Sequence, residues 1–168
     1  MRARARDGII ESEIGTLAVG RRGVLLAAEW MVGRATAPDF DRRDETVTAF
    51  VEAFLKYFRG RDWKEAFNDL PMGDGTPFQC SVWAACRRIP QGETRTYGWI
   101  AGDLGLRPVH CRAVGNALRV NPLPIAVPCH RVVAASGVGG YAGARTGALA
   151  DIKCRLLAFE SAARRRPC

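Results

Sequence analysis

Residues 96–119 read TYGWIAGDLGLRPVHCRAVGNALR, and this stretch decides the fold of the C-terminal half. Thr96 can accept a bond from the free amides of a helix running from Tyr97 to Leu104, and Gly105 supplies its left-handed stop. Pro108, whose fixed φ suits a first helical position, opens a second helix to about Arg119. Arg107 falls at the expected N-cap of that helix, where arginine caps poorly. Two short helices across a tight glycine-containing turn have the form of a helix-turn-helix. In the second helix Val109, Ala113, Val114, Ala117 and Leu118 can pack inward. Arg112, Asn116 and Arg119 follow one another at i, i+4 and i+7 on another face. That face is either solvated or laid against nucleic acid. Small Ala113 and Gly115 suit a helix pressed into a groove, and a tight helix crossing equally well.

Downstream, Asn121-Pro122-Leu123-Pro124 leads to Pro128-Cys129-His130-Arg131-Val132. A thiolate is a strong nucleophile and a thiol a weak one, so a reactive cysteine needs cationic or hydrogen-bonding neighbours. His130 and Arg131 stand where they can serve, although a buried cysteine is usually structural. Arg131 is better suited to an internal ion pair than to substrate. The proline before Cys129 and the pair Val132-Val133 after it predict the start of a stiff, buried strand. Neighbours on a strand face opposite sides, so a direct Cys129–His130 pair is disfavoured, and with it a Cys-His hydrolase. The glycine-rich turn Ser136–Gly140 matches no phosphate-binding fingerprint. Residues 148–163 predict a last helix with Leu149, Ile152, Leu156 and either Phe159 or Leu157 inward.

Upstream, residues 8–12, 16–20 and 24–30 read as short strands, with a hairpin turn at Gly20–Gly23. Met1–Arg6, alternating arginine with alanine, reads as a solvated tail. Val47, Phe50, Val51, Phe54, Leu55 and Phe58 form one apolar helical face, stopped by Gly60. Pro71–Gly75 reads as a linker. Thr76-Pro77-Phe78-Gln79 then spells a capping box with proline at the first helical position, and Phe78, Val82, Trp83 and Cys86 line the buried face. The expected domains are 1–72 and 76–163, followed by a basic tail, 164–168.

With 48 % hydrophobic and 25 % charged residues, the 168-residue chain has the composition of an ordinary globular protein. No apolar run approaches a membrane span and no signal-peptide block opens the chain, so an intracellular, cytoplasmic protein is expected. Residues 1–75 carry 12 Lys and Arg against 13 Asp and Glu; residues 76–168 carry 13 against 4. The positive field therefore belongs to the half holding Cys129, and a polyanion is the natural partner. A generically arginine-rich proteome remains the alternative, since arginine outnumbers lysine 22 to 3. The six cysteines include no C-x-x-C pair and are expected as free thiols. The half before residue 76 has neither Cys nor His, which argues against a zinc site there.

The order R-A-V-G at 112–115, N-P-x-P at 121–124, P-C-H-R-V at 128–132, the loop Tyr141-Ala142-Gly143 and L-L-x-x-E ending at Glu160 resembles the O6-alkylguanine-DNA alkyltransferases. The resemblance is close over about residues 76–160 and weak before them. It implies an α/β N-terminal domain, a small antiparallel sheet plus a helix, and a mainly α C-terminal domain with a helix-turn-helix or winged-helix-like DNA-binding core. It implies a monomer that flips O6-alkylguanine out of double-stranded DNA and takes the alkyl group irreversibly onto Cys129, without metal or cofactor. Residue by residue, Arg112 would fill the vacated place in the stack, with Asn116, Arg119, Thr96 and Ala113 also on the DNA face. The Tyr97 phenol would serve guanine N3, the amides around Tyr141, Ala142 and Gly143 would serve O6, and the Cys129 and Val132 carbonyls would accept the exocyclic amine. Leu118 and Pro124 would wall the alkyl pocket, Asn121 would fix the Cys129 turn, and His130 would reach Cys129 through water with Glu160 orienting it. Ala142 replaces the serine of some relatives, and the link Ala144–Ala150 is longer than usual, which bears on the register of Glu160. The rival within this resemblance is a non-catalytic alkyltransferase-like protein that binds damage, but such proteins carry tryptophan where this chain has Cys129.

Overall fold

The computed structural model describes residues 2–41, 45–60, 67 and 74–164, and the chain divides into two compact units, Met1–Gly73 and Asp74–Cys168. The linker residues 71–73 and the tail 165–168 lie outside the described residues.

The first unit is a four-stranded antiparallel meander with one helix. Strands β1 (Ala3–Arg6), β2 (Ile9–Ser12), β3 (Thr16–Arg22) and β4 (Leu25–Trp30) pair in sequence order. Ala3–Arg6 is thus an edge strand and not a solvated tail. Its alternation has the period of a strand, and Asp7-Gly8, with φ of 50° and 72°, makes the tight turn that returns it along β2. Arg4 sits opposite Glu11 and donates to its carboxylate at 2.6 Å. The β3–β4 turn is Gly23-Val24 and not Gly20–Gly23, because Arg22 pairs with Leu25. Gly23, at φ 63°, is the residue that can take the first place of that turn. Helix α1 (Glu45–Phe58) buries Val47, Phe50, Phe54, Leu55 and Phe58 as its spacing predicts, adding Ala53 and Tyr57 and leaving Val51 half-buried.

The second unit carries the chemistry. Helix α2 (Pro77–Arg87) begins with the predicted box: Gln79 N donates to Thr76 Oγ1 at 3.3 Å and Thr76 N to Gln79 Oε1 at 2.8 Å. Val82, Trp83, Ala85 and Cys86 face inward, whereas Phe78, one turn before Val82 on the same stripe, is 37 % exposed. Helix α3 (Tyr97–Asp103) is capped by Thr96, whose hydroxyl accepts from Trp99 N, and Gly105 follows at φ 68°. The chain then makes a 3-10 turn, Pro108–His110, before α4 (Cys111–Arg119). Arg107 therefore caps nothing directly. His110 holds the N-cap of α4 with no side-chain bond to the helix amides, its Nδ1 lying 3.0 Å from Arg107 O instead, and Val109 stays 71 % exposed and does not pack inward. Trp83 Nε1 donates to Ala117 O at 2.9 Å, fixing α4 against α2.

Cys129 does not start a strand. Cys129–Arg131 form a 3-10 turn, and only Val132–Val133 are extended, as β6. The Pro128 carbonyl accepts from Arg131 N at 2.8 Å, so the backbone there is satisfied by a turn, and adjacency no longer puts Cys129 and His130 on opposite faces. Strand β6 pairs in parallel with β5 (Arg95–Thr96), which brings the start of α3 beside the exit from Cys129. Helix α5 (Ala148–Arg164) buries Ile152 and Leu156 as expected, with Leu149, Leu157 and Phe159 half-buried. Its other buried places go to Lys153 and Glu160.

Candidate active site

An open cavity of about 930 Å³ has Cys129 in its lining, reached from α4 on one side and the glycine-rich loop 134–145 on the other. Cys129 is 9 % exposed. The turn that delivers it is organised by Asn121, whose side-chain nitrogen donates to Val127 O at 2.9 Å and lies 3.2 Å from Cys129 Sγ. Asn121 Oδ1 accepts from Leu123 N at 3.0 Å. Within this turn Ile125 is fully buried at φ 75°, a conformation that a β-branched residue takes only when its surroundings force it. The strain sits in the segment that aims the sulphur.

Behind Cys129 lies a buried ionic cluster centred on Glu160. Arg131 donates through Nε to Oε2 at 2.8 Å and through Nη2 to Oε1 at 2.7 Å, and its remaining Nη1 reaches Ile89 O at 2.7 Å. This is the internal ion pair expected of Arg131. His130 Nε2 stands 2.9 Å from Glu160 Oε1, and Gly92 N donates to Oε2 at 3.1 Å. The longer link before α5 has not moved Glu160 out of register. His130 Nδ1 is buried and has no hydrogen-bond partner among the described residues. With Nε2–H donating to the carboxylate, Nδ1 carries the free lone pair of a neutral imidazole.

Burial pushes the Cys129 thiol up, against the Asn121 bond and the Lys153 charge, so the resting sulphur is protonated. Burial pushes His130 down and Glu160 counters it only in part, so the ring stays neutral at physiological pH. For Glu160, burial alone would raise the carboxyl, but His130 and Arg131 outweigh it and hold the group well below the usual carboxylate range. A protonated thiol, a neutral base and a fixed carboxylate are the parts of a proton relay.

Lys153 is the member that inspection of the sequence overlooked. Fully buried, its ammonium donates to Val132 O at 2.7 Å, Val138 O at 2.7 Å and Gly140 O at 3.0 Å. It thereby staples the glycine-rich loop to the strand that leaves Cys129, and burial lowers it to about 8. The available signal was helical phase: Lys153 and Glu160 are seven residues apart, on the same stripe as Ile152 and Leu156.

Tyr97 stands between two glycines. A β-carbon at Gly115 would come 3.8 Å from its ring and one at Gly139 3.5 Å, both ordinary contact distances; Gly139 is required instead by its φ of 72° and by Ala134 N, which would stand 3.1 Å from a β-carbon there. Burial raises its phenol, which stays protonated, with the hydroxyl 3.4 Å from Gly140 O. The loop turns at Ala142-Gly143, at φ 48° and 89°, inside paired bonds between Tyr141 and Ala144. Tyr141 N is therefore already donated to Ala144 O, and the Ala142 and Gly143 N–H groups are the amides of the turn left without a partner among the described residues. The Cys129 and Val132 carbonyls each accept one bond, from Val132 N and Lys153, and each keeps a second lone pair. Leu118, Arg112, Asn116 and Arg119 line the cavity, whereas Pro124, Thr96 and Ala113 do not. Pro124 is buried within the Cys129 turn, and the Thr96 hydroxyl is engaged as the cap of α3.

Residues 77–162 match the family described as 6-O-methylguanine DNA methyltransferase, DNA binding domain, and every site residue named above falls inside that span. The chain belongs to this methyltransferase family. Among its relatives, the methylated-DNA–protein-cysteine methyltransferase of Methanosarcina acetivorans is 41 % identical over 157 residues, covering 90 % of this chain and 96 % of that protein. The constitutive enzyme of that name from Bacillus subtilis is 41 % identical over 135 residues, 79 % of this chain and 77 % of the other. The crystal structure of the Mycobacterium tuberculosis O6-methylguanine methyltransferase superposes with a TM-score of 0.71 at 34 % identity, covering 95 % of this chain and 93 % of that one. The same protein in complex with DNA gives 0.69, also at 34 %, with 92 % of each chain covered. The methyltransferase fold and its DNA-binding domain thus extend to this chain.

Proposed function

We propose that this protein repairs DNA by removing the alkyl group from O6-alkylguanine in a duplex onto its own Cys129, once per molecule. The observation that carries the reading is the position of Cys129: a protonated thiol at a cavity lined by arginines, backed by His130 and Glu160. A lesion at guanine O6 lies inside the base stack, so the nucleotide has to be extruded, at a cost of roughly a few kcal/mol that protein contacts offset. Arg112, exposed on α4 and lining the cavity, would occupy the vacated place in the stack. Asn116 and Arg119, one and two turns along, would hold the backbone.

The extruded base would meet Tyr97 at N3 and the Ala142 amide at O6, with its exocyclic amine on the Cys129 and Val132 carbonyls. The thiol proton passes, through one water, to His130 Nδ1. The thiolate then attacks the alkyl carbon in line; an S–C bond forms, the C–O6 bond breaks, and its electron pair leaves with guanine. Tyr97 passes its phenol proton to ring N3 of the departing guanine, and the proton held by His130 returns through water to the phenolate, so that both groups end as they began. The S–C bond of an alkylated cysteine is stable in neutral water, which supports a single-use protein. The monomer state and the cytoplasm, where DNA and free thiols coexist, complete the proposal. Among the described residues Cys80, Cys86, Cys111, Cys129 and Cys154 are free, and no helix is long and apolar enough to cross a membrane.

Intact mass tests this directly. After incubation with a duplex carrying O6-methylguanine, each protein molecule should gain one methyl group and no more. Protein of unchanged mass beside DNA that is bound but still methylated would favour the non-catalytic reading instead.

Two further results are expected. Arg112→Ala should slow repair of duplex DNA about tenfold to a hundredfold more than it slows reaction with free O6-benzylguanine, because only the duplex has a gap to fill. Equal losses on both substrates would remove Arg112 from that role. The transfer rate should stay level as pH falls from 8 through the ordinary imidazole value of about 6.5, since His130 is pushed below it, and drop only in more acid solution. An acid limb centred above 7 would contradict a neutral, buried base.

A further inference from the structure

We propose that Arg145 binds a backbone phosphate beside the extruded nucleotide and makes the site selective for polymeric substrate over the free base. The inference rests on the reading of the cavity given above. Three cations line that cavity, Arg112 and Arg119 from α4 and Arg145 from the loop side, and no carboxylate lines it. All three are exposed, and none has an ion-pair or hydrogen-bond partner among the described residues. Away from the cavity the described arginines of this unit are engaged, with the exception of Arg107. Arg88 pairs with Asp103, Arg95 with Glu93, Arg131 with Glu160, and Arg164 with Glu93. Among the described residues, three of the four arginines of this unit without such a partner thus line the cavity that holds Cys129.

Arg145 is not a freely swinging surface arginine. It follows directly on the paired Tyr141–Ala144 turn, and its stem packs on Gly140, where a β-carbon would stand 3.7 Å from Arg145 Cγ. Lys153 holds the Gly140 and Val138 carbonyls from behind. Arg119 leans on the other side of the same turn, with its Cδ 3.2 Å from the β-carbon position of Gly143. Two arginine stems therefore flank the turn that would receive the base. A nucleotide rotated out of the stack carries its own phosphates to the mouth of the pocket, and a guanidinium fork is the side chain that matches a phosphate. The residue lies on the extended link between the loop and α5, outside every motif quoted in the sequence.

The test compares rates on free O6-benzylguanine, a short single strand containing O6-methylguanine, and that strand with neutral methylphosphonates on both sides of the lesion. Arg145→Ala should lower the ratio of single-strand to free-base rates about tenfold or more, with Arg145→Lys intermediate. On the methylphosphonate strand, wild type and Arg145→Ala should react alike, because the contact is already gone. A ratio that does not change, or a tenfold deficit that persists on the methylphosphonate strand, would overturn the proposal. So would an equal loss on the free base, which would mean that Arg145 only shapes the loop. Wild-type protein that reacts with none of the three would instead sink the alkyl-transfer reading.

Discussion

Cys129→Ser should abolish transfer while leaving duplex binding close to that of the native protein. An oxygen in place of sulphur preserves the shape of the turn, and Asn121 can donate to it as it does to Sγ. An alcohol, however, stays protonated at neutral pH and is a poor nucleophile towards saturated carbon, so the rate should fall on the order of 10⁴-fold or more. In the native protein, labelled alkyl groups should appear on the peptide containing Cys129, one equivalent each, after which reaction stops. Label on Cys80, Cys86, Cys111, Cys154 or Cys168 would sink the assignment, as would repeated turnover.

The second large effect is expected at Glu160, and it should be one of stability as well as chemistry. Glu160→Gln leaves the Arg131 guanidinium buried without its counter-charge and weakens the bonds from His130 and Gly92. Breaking a buried pair in this way costs about 3–5 kcal/mol, against roughly 5–15 kcal/mol that holds a typical domain folded. Urea denaturation should show this loss directly. Removing both charges separates the two roles: Arg131→Met with Glu160→Leu should recover part of the stability while transfer stays slow, since His130 then has no carboxylate behind it. A double variant that transfers normally would limit Glu160 to holding the fold. The same carboxylate gives the fold an acid limit. Its folded pKa lies below the ordinary value of about 4.3, so its contribution is complete above that pH and is lost as pH falls below it.

Elements set by local chemistry were legible in the sequence. The Thr76 box, the Thr96 cap and the apolar spacing of α1 each rest on a few neighbouring residues, and each is where it was expected. The motif around Cys129 singled out the cysteine proposed as nucleophile, but not its backbone. Pro128 and the two valines suggested a strand, whereas bonds made within the segment close a 3-10 turn. The Asp7-Gly8 turn was overlooked because the alternating arginines beside it looked like a charged tail. They are the outer face of an edge strand. Tertiary partners account for the rest. Phe78 fits the apolar pattern of α2 yet stays 37 % exposed, and Lys153 breaks the pattern of α5 yet is buried, because three carbonyls from distant positions converge on it. No periodicity encodes that meeting.

Helix α5 is positioned less by oil than by two ions, Lys153 and Glu160, each held by partners that a slide of one turn would strand. Such bonds are directional, so they measure the position of the helix from the Cys129 segment itself and not from the chain that leads into it. The link between the loop and the helix is thereby relieved of any duty as a ruler. Lengthening it costs only the slowly growing entropy of closing a larger loop, about 0.6 kcal/mol for a doubling. A protein built this way can change the reach and charge of its pocket rim, residue by residue, without disturbing how Glu160 meets His130 behind Cys129.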